Sequence, residues 1–201
     1  MNTGLILTTK RAVAIYEEMI SCRRDFSEDD EFFKMTDVWE YLCGDSDEWK
    51  IKFFHQRPSQ ALRPQAAVSE FDHRVRLMVE VGLWSNAQRG DKLSNFVLAH
   101  EAGHLQLRHN SRTAVRHFLM VSGEKGNSVV PQDYFELEAN FAAVVFQCGV
   151  ALLDPKISAS DLARRAFSDV AQVKMVQAMV RTEVFLRELN RPRPTYERVV
   201  L

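Results

Sequence analysis

Apolar and polar residues recur along this chain with two different periods, and the periods mark out its elements. In 8–24 (TTKRAVAIYEEMISCRR), Ala12, Ile15, Tyr16 and Met19 fall at helical spacing, which predicts an amphipathic helix. A shorter helix is expected over 34–43, with Val38, Tyr41 and Leu42 turned inward. WKIKFFH (49–55) has the look of a strand, and QRPSQALRPQ (56–65), with its two prolines, reads as an exposed loop. AAVSEF and VRLMVEVG then read as strands separated by Asp72, His73 and Arg74. In the second, Val75, Leu77 and Val79 alternate with Arg76, Met78 and Glu80, the period of a half-buried strand. A small, mostly antiparallel sheet is therefore expected.

The next helical pattern can be capped by Asp91 or Ser94 and should end around 109–110. A connection of about 20 residues follows, long for a compact domain. A second, apolar helix is expected from Pro131 or Gln132 to Gly149, with Asp133 and Glu136 in its first turn, where the helix dipole favours acids. The stretch SASDLARRAFSDVAQVKMVQAMVRTEVFLREL is helical, and the polar tail NRPRPTYERVVL reads as disordered. The pattern is that of an α+β protein: a main domain over 1–150, a helical C-terminal extension over 151–190 and a flexible tail over 191–201.

Composition narrows the function classes. The chain has 201 residues, 46% of them hydrophobic, enough for one substantial core. Its net charge of −1 gives no bulk attraction to nucleic acid. Acids crowd 25–48, where Lys34 is the one base, and bases outnumber acids over 164–198; both runs read as solvated faces. The apolar run GLIL is short and lacks a cleavage site, and no window approaches the roughly 18 apolar residues of a membrane span. Cys22, Cys43 and Cys148 are odd in number and form no CxxC, as expected of reduced packing thiols in a cytoplasmic protein. Trp39, Trp49 and Trp84 read as packing groups.

Against this background FVLAHEAGHLQLRH (96–109) stands out. On a helix, His100 and His104 share a face with Cβ atoms about 5–6 Å apart, close enough for both imidazoles to reach one ion. Glu101 is turned about 100° from His100, where its carboxylate can take a proton from a water beside the ion without occupying it. The apolar lead-in FVLA sends the helix into a core. Gly103 costs about 1 kcal/mol relative to Ala in mid-helix, which makes sense if another ligand-bearing element packs against it.

A catalytic zinc site needs a third protein ligand. HExxHxxGxxH is excluded, because Leu107 and Asn110 stand where it needs glycine and histidine. A glutamate from the second helix is the other common solution, and YFELEANFAAVVF offers Glu136 and Glu138 on opposite sides. Glu138 shares its face with Tyr134, Ala142 and Val145, so burying it calls for a compensating charge such as a metal. Glu136 lines up with Asn140, Ala143 and Gln147, either as a solvated stripe or as a ligand with Asn140 as its partner. Spacing alone leaves both open.

The ordered set FVLAHEAGH, ELEANFAAVVF, ALLDP and DLARRAFSDVAQVKM resembles the ImmA/IrrE family of metallo-endopeptidases over about residues 90–175. The resemblance implies a zincin-like, gluzincin-type fold with zinc held by His100, His104 and Glu136, and with Glu101 as catalytic acid/base. Glu138 is then the reserve third ligand. It implies a regulatory protein substrate in the cytoplasm, such as a helix-turn-helix repressor. The chain departs from the family pattern in a longer link between the two motifs, in the extra residues before the proline of ALLDP, and in residues 1–65, which match no family feature.

Other residues carry weaker expectations. His109, five residues past His104, points elsewhere and reads as a helix C-terminal cation. His117 and Tyr134 are candidates to stabilise an oxyanion, although both read first as loop and packing residues. His55 and His73 have no supporting constellation. A second reading is a DNA- or protein-binding regulator: 158–176 has helix-turn-helix rhythm, with Ser158 or Ser160 as cap and Arg164, Arg165 and Lys174 exposed. The charge and the lack of a clustered basic helix argue against direct DNA binding. A binding-only relative that keeps the fold is a third, against which the intact HExxH stands.

Overall fold

Thr8 turns its hydroxyl toward the Arg11 amide and opens α1 (Thr9–Arg24), whose expected inward residues Ala12, Ile15, Tyr16 and Met19 are all buried. The computed structural model describes residues 6–29, 31–44, 46–55, 66–109 and 134–192; the expected loop at 56–65, the long connection and the last residues of the tail lie outside them. In α2 (Met35–Cys43), Val38 and Trp39 are buried, but Tyr41 is 74% exposed, contrary to expectation. Two residues past Trp39 is about 200° around the helix, so once Trp39 enters the core Tyr41 must face out.

Three strands follow: β1 (Trp49–Phe54), β2 (Ala66–Phe71) and β3 (Arg74–Glu80), in the order β1-β3-β2. Val75, Leu77 and Val79 are buried, as their alternation predicts. Asp72 and His73 form a two-residue turn with φ of 49° and 60°, the positive pair that a type I′ hairpin needs. β2 and β3 are accordingly antiparallel, whereas β1 runs parallel to β3. The sheet is thus mixed rather than mostly antiparallel. Two successive reversals leave β1 and β3 pointing the same way, and they are neighbours because β2 takes the far side of β3. Periodicity reports which residues face the core and is silent on strand direction.

The expected second strand also ends early. At Glu80 the chain turns into α3 (Val81–Gln88), with the Glu80 carboxylate accepting the Leu83 amide at 2.8 Å. Asp91 then caps α4 (Lys92–Gln106) by accepting from both the Ser94 amide (2.8 Å) and the Ser94 hydroxyl (2.7 Å). Buried Asn95 ties this region together: it donates to the Ala87 and Asp91 carbonyls and accepts the Met35 amide. The apolar helix α5 (Tyr134–Cys148) is buried on nearly every side and forms the middle of the core. With the following 3₁₀ turn (Gly149–Leu153) it is long and apolar enough to cross a membrane by length and composition, contrary to the expectation that no stretch would be; 67% of that stretch is buried inside the protein. Three short helices complete the described chain: α6 (Ala159–Arg165), α7 (Val170–Val180) and α8 (Glu183–Leu189). Val173, Val176, Val180 and Phe185 join the same core as α1 and α5, and Phe185 meets Tyr16 edge-on at 5.7 Å.

Two contacts set the position of α5. The Arg23 guanidinium, fully buried, donates to the carbonyls of Phe146 (2.7 Å), Gln147 (3.2 Å) and Glu31, and lies over the Phe33 ring. It satisfies carbonyls at the C-terminal end of α5 that have no partner within the helix. Gly149, with φ of 59°, makes room: a Cβ there would lie 2.7 Å from Arg23 Nε. At the other contact, a Cβ on Gly103 would lie 3.0 Å from the Ala139 carbonyl oxygen and 3.2 Å from Ala142 Cβ. α4 and α5 therefore touch through their backbones, the close approach that a mid-helix glycine suggested.

Alanine normally favours a helix over glycine by about 1 kcal/mol, but at residue 103 it would push on α5 backbone. Gly103→Ala is expected to lose about 1–3 kcal/mol of stability by urea denaturation, the range for an overfilled core. A gain in stability would show that the contact is slack.

Candidate metal centre

α4 brings His100 and His104 to its α5-facing side, and the first turn of α5 brings Glu136 to meet them. His100 Nε2 lies 3.2 Å from Glu136 Oε2, His104 Nε2 lies 3.4 Å from Glu136 Oε1, and the two Nε2 atoms are 2.9 Å apart. Their ligand atoms all fall within 4.8 Å of one another. Two atoms bound at about 2.0–2.1 Å to one tetrahedral ion sit about 3.3 Å apart, so the carboxylate distances fit and the two nitrogens need to open by a few tenths of an ångström. His104 is fully buried, and the side chains of His100 and Glu136 are each 14% exposed. Two neutral imidazoles and a carboxylate are a donor set suited to a divalent first-row ion. These three residues could hold one.

Each ring has a second partner. The Asn140 side-chain oxygen is 2.9 Å from His100 Nδ1, so Nδ1 donates and Nε2 keeps its lone pair for the cluster. Asn140 thus orients His100 rather than Glu136, and the stripe it shares with Glu136, Ala143 and Gln147 lies against the protein, with Ala143 and Gln147 buried. Burial disfavours the charged His100 ring, yet the bond to Glu136 and the nearby Glu101 and Glu136 charges outweigh it and raise its pKa above the ordinary value.

Glu138 lies outside this cluster and is held by other charges. Arg11 on α1 grips it with Nε and Nη2 at 2.7 and 2.6 Å, and His109 Nε2 approaches at 3.0 Å. The burial of Glu138 did require a compensating charge, and a guanidinium from the start of the chain supplies it. Burial pushes the Glu138 carboxyl up, but these bonds prevail and hold its pKa below the usual carboxylate range.

His109 likewise departs from expectation. It is buried, and its Nδ1 lies 3.1 Å from Nδ1 of His104. The helix does not continue to it: Arg108 takes a φ of 56°, and this left-handed residue swings His109 back beneath His104. Five residues along an unbroken helix would have carried it to another face. No local pattern marks Arg108 for that role, since glycine or asparagine is the usual choice.

Glu101 is buried on the β2 side of α4, and its Oε2 accepts the Val68 amide at 2.9 Å. Val68 turns that N–H away from β3, so the carboxylate sits between α4 and the outer edge of the sheet. Tyr134 donates its hydroxyl to the Ile6 carbonyl at 2.9 Å. His117 lies outside the described residues, and His55 and His73 are exposed. Comparison with protein-family models, with curated proteins and with solved structures finds no match.

Two outcomes follow for the glutamates. Glu136→Ala should lose bound metal on purification, whereas Glu138→Ala should still bind it at elevated metal concentration; metal content by mass spectrometry separates them, and the reverse order would exchange their roles. Because the folded pKa of Glu138 is depressed, its contribution to stability is present above the ordinary value of about 4.3 and lost as pH falls through the folded value. Glu138→Gln should thus cost about 1–3 kcal/mol at neutral pH, with the difference from wild type closing as the pH falls below the usual carboxylate range in urea titrations.

Proposed function

We propose that this chain is a zinc-dependent endopeptidase of the ImmA/IrrE kind, acting in the cytoplasm on a specific regulatory protein such as a helix-turn-helix repressor. The observation that carries this reading is the convergence of His100, His104 and Glu136 while Glu101, next to His100, is kept out of the ligand set. A third ligand from a separate helix is what distinguishes a built centre from two histidines one turn apart.

Bound zinc would polarise the scissile carbonyl and acidify the attacking water. The remaining work belongs to the chain. Glu101 takes the proton from that water and passes it to the leaving amine, the task of a positioned carboxylate. Its bond to the Val68 amide holds it in place, and because a carboxylate has about four lone-pair sites it can take up the one proton while that bond is kept. Asn140 keeps the His100 lone pair turned inward.

The regulator reading has less behind it. Ser158 caps α6 as expected, and Arg164, Arg165 and Lys174 are exposed. But Arg164 pairs with Asp161, Arg165 lies over Phe32, and Lys174 is the one base on α7. The pair α6–α7 offers little positive surface to a phosphate backbone.

Glu101→Gln is expected to keep its metal and lose hydrolysis by about 10²–10⁴-fold, the range for removing a general base. Profiling of new protein N-termini in cells carrying wild type or Glu101→Gln gives the test. Cleavage products common to both would contradict the proposed role, and salt-sensitive operator binding by the pure protein would favour the regulator.

A further inference from the structure

The outer nitrogen of His104 begins a buried chain of hydrogen bonds that ends on another helix. His104 Nδ1 meets His109 Nδ1 at 3.1 Å, His109 Nε2 meets Glu138 Oε2 at 3.0 Å, and Arg11 reaches both Glu138 oxygens, through Nε at 2.7 Å and Nη2 at 2.6 Å. The links can be read in order because each partner dictates the next. Arg11 only donates, and an ionised carboxylate only accepts, so His109 Nε2 must carry the hydrogen that points to Glu138. In a neutral His109, Nδ1 is then the lone-pair nitrogen and accepts. His104 must therefore donate from its own Nδ1, which leaves the lone pair on Nε2. That is the nitrogen that faces His100 and Glu136.

We propose that His109, Glu138 and Arg11 are positioning residues that hold His104 in its Nδ1–H form, with the Nε2 lone pair on the metal position, so that α1 helps to set the metal affinity of a centre built on α4 and α5. The Arg108 turn gives this arrangement its purpose: a left-handed, non-glycine residue places His109 under His104 instead of letting the helix run on. Glu138 gains a role from the same chain. It orients one ligand through His109, while its neighbour two residues earlier is itself a ligand. The proposal rests on the metal-binding reading of His100, His104 and Glu136.

The test measures zinc affinity by chelator competition and the visible spectrum of the cobalt(II) form, for wild type, His109→Leu, His109→Asn and Arg11→Met, with the melting midpoint of each metal-free protein followed in parallel. Asparagine can place an acceptor oxygen near the position of the lost Nδ1; leucine cannot. Wild type should bind one zinc. His109→Leu should bind it about 10–100-fold more weakly, the usual cost of losing the partner of a ligating histidine, with a shifted cobalt spectrum. His109→Asn should recover most of that loss, and Arg11→Met, at the partly exposed end of the chain, should show a smaller loss in the same direction. Equal zinc affinity in wild type, His109→Leu and Arg11→Met would overturn the proposal and leave the metal centre standing. So would a His109→Asn protein as weak as His109→Leu, since the hydrogen bond would then not be the cause. A wild type that binds no zinc would overturn the metal-binding reading and this proposal with it. Should His109→Leu fail to fold, the comparison of Arg11→Met with wild type decides alone.

Discussion

The candidate centre depends on how closely α4 and α5 approach at Gly103. A Cβ there would lie 3.0 Å from the Ala139 carbonyl oxygen, so α5 would have to give by a few tenths of an ångström to admit one. Alanines 139, 142 and 143 keep the facing surface of α5 equally small, and all three are fully buried. With the two backbones in contact, Glu136, one turn before Asn140, can reach both His100 and His104. A larger residue at the crossing would move its carboxylate off the pair. Packing therefore comes before chemistry here: the candidate ligand set is a consequence of an interface between two helices.

That interface is braced from outside by α1. Arg11, near its beginning, grips Glu138 in the second turn of α5, and Arg23, in its last turn, caps the carbonyls of Phe146 and Gln147 at the far end. One helix thus holds the other by a guanidinium at each end, with Ile15, Tyr16 and Met19 packed between. Arginine suits both places, because its planar donors serve a carboxylate in a fork at one end and two or more carbonyls at the other. Arg23 is fully buried and Arg11 is partly exposed, and the hydrogen bonds each makes offset the hydration it loses. Glu138, which in sequence competes with Glu136 for the ligand position, is instead the anchor by which α1 fixes the start of α5.

The parts legible in the sequence are those determined within one or two turns of chain. The α1 pattern, the Asp91 cap, the alternation of β3 and the shared face of His100 and His104 are all local, and the structure follows them. Gly103 was legible as a close approach, though not its partner. What sequence could not supply was tertiary. That Glu136 and Glu138 face opposite ways was readable; which way α4 lay was not. The direction of β1 depends on the route of the chain, and Tyr41 was displaced by the stronger claim of Trp39 on the core. The place of His109 is not legible locally, because one residue, Arg108, leaves the helical conformation without a glycine to announce it. Arg11 carried no signal at all, lying 127 residues from its partner.

The central claim is that two imidazoles and one carboxylate from α4 and α5 hold a single metal ion. X-ray absorption at the zinc edge, on protein loaded with one equivalent of zinc, tests it most directly. The account predicts two imidazole nitrogens and oxygen donors at about 2.0–2.1 Å, with no sulfur. A spectrum with sulfur at about 2.3 Å, one without imidazole scattering, or a protein that leaves the zinc in solution would contradict it.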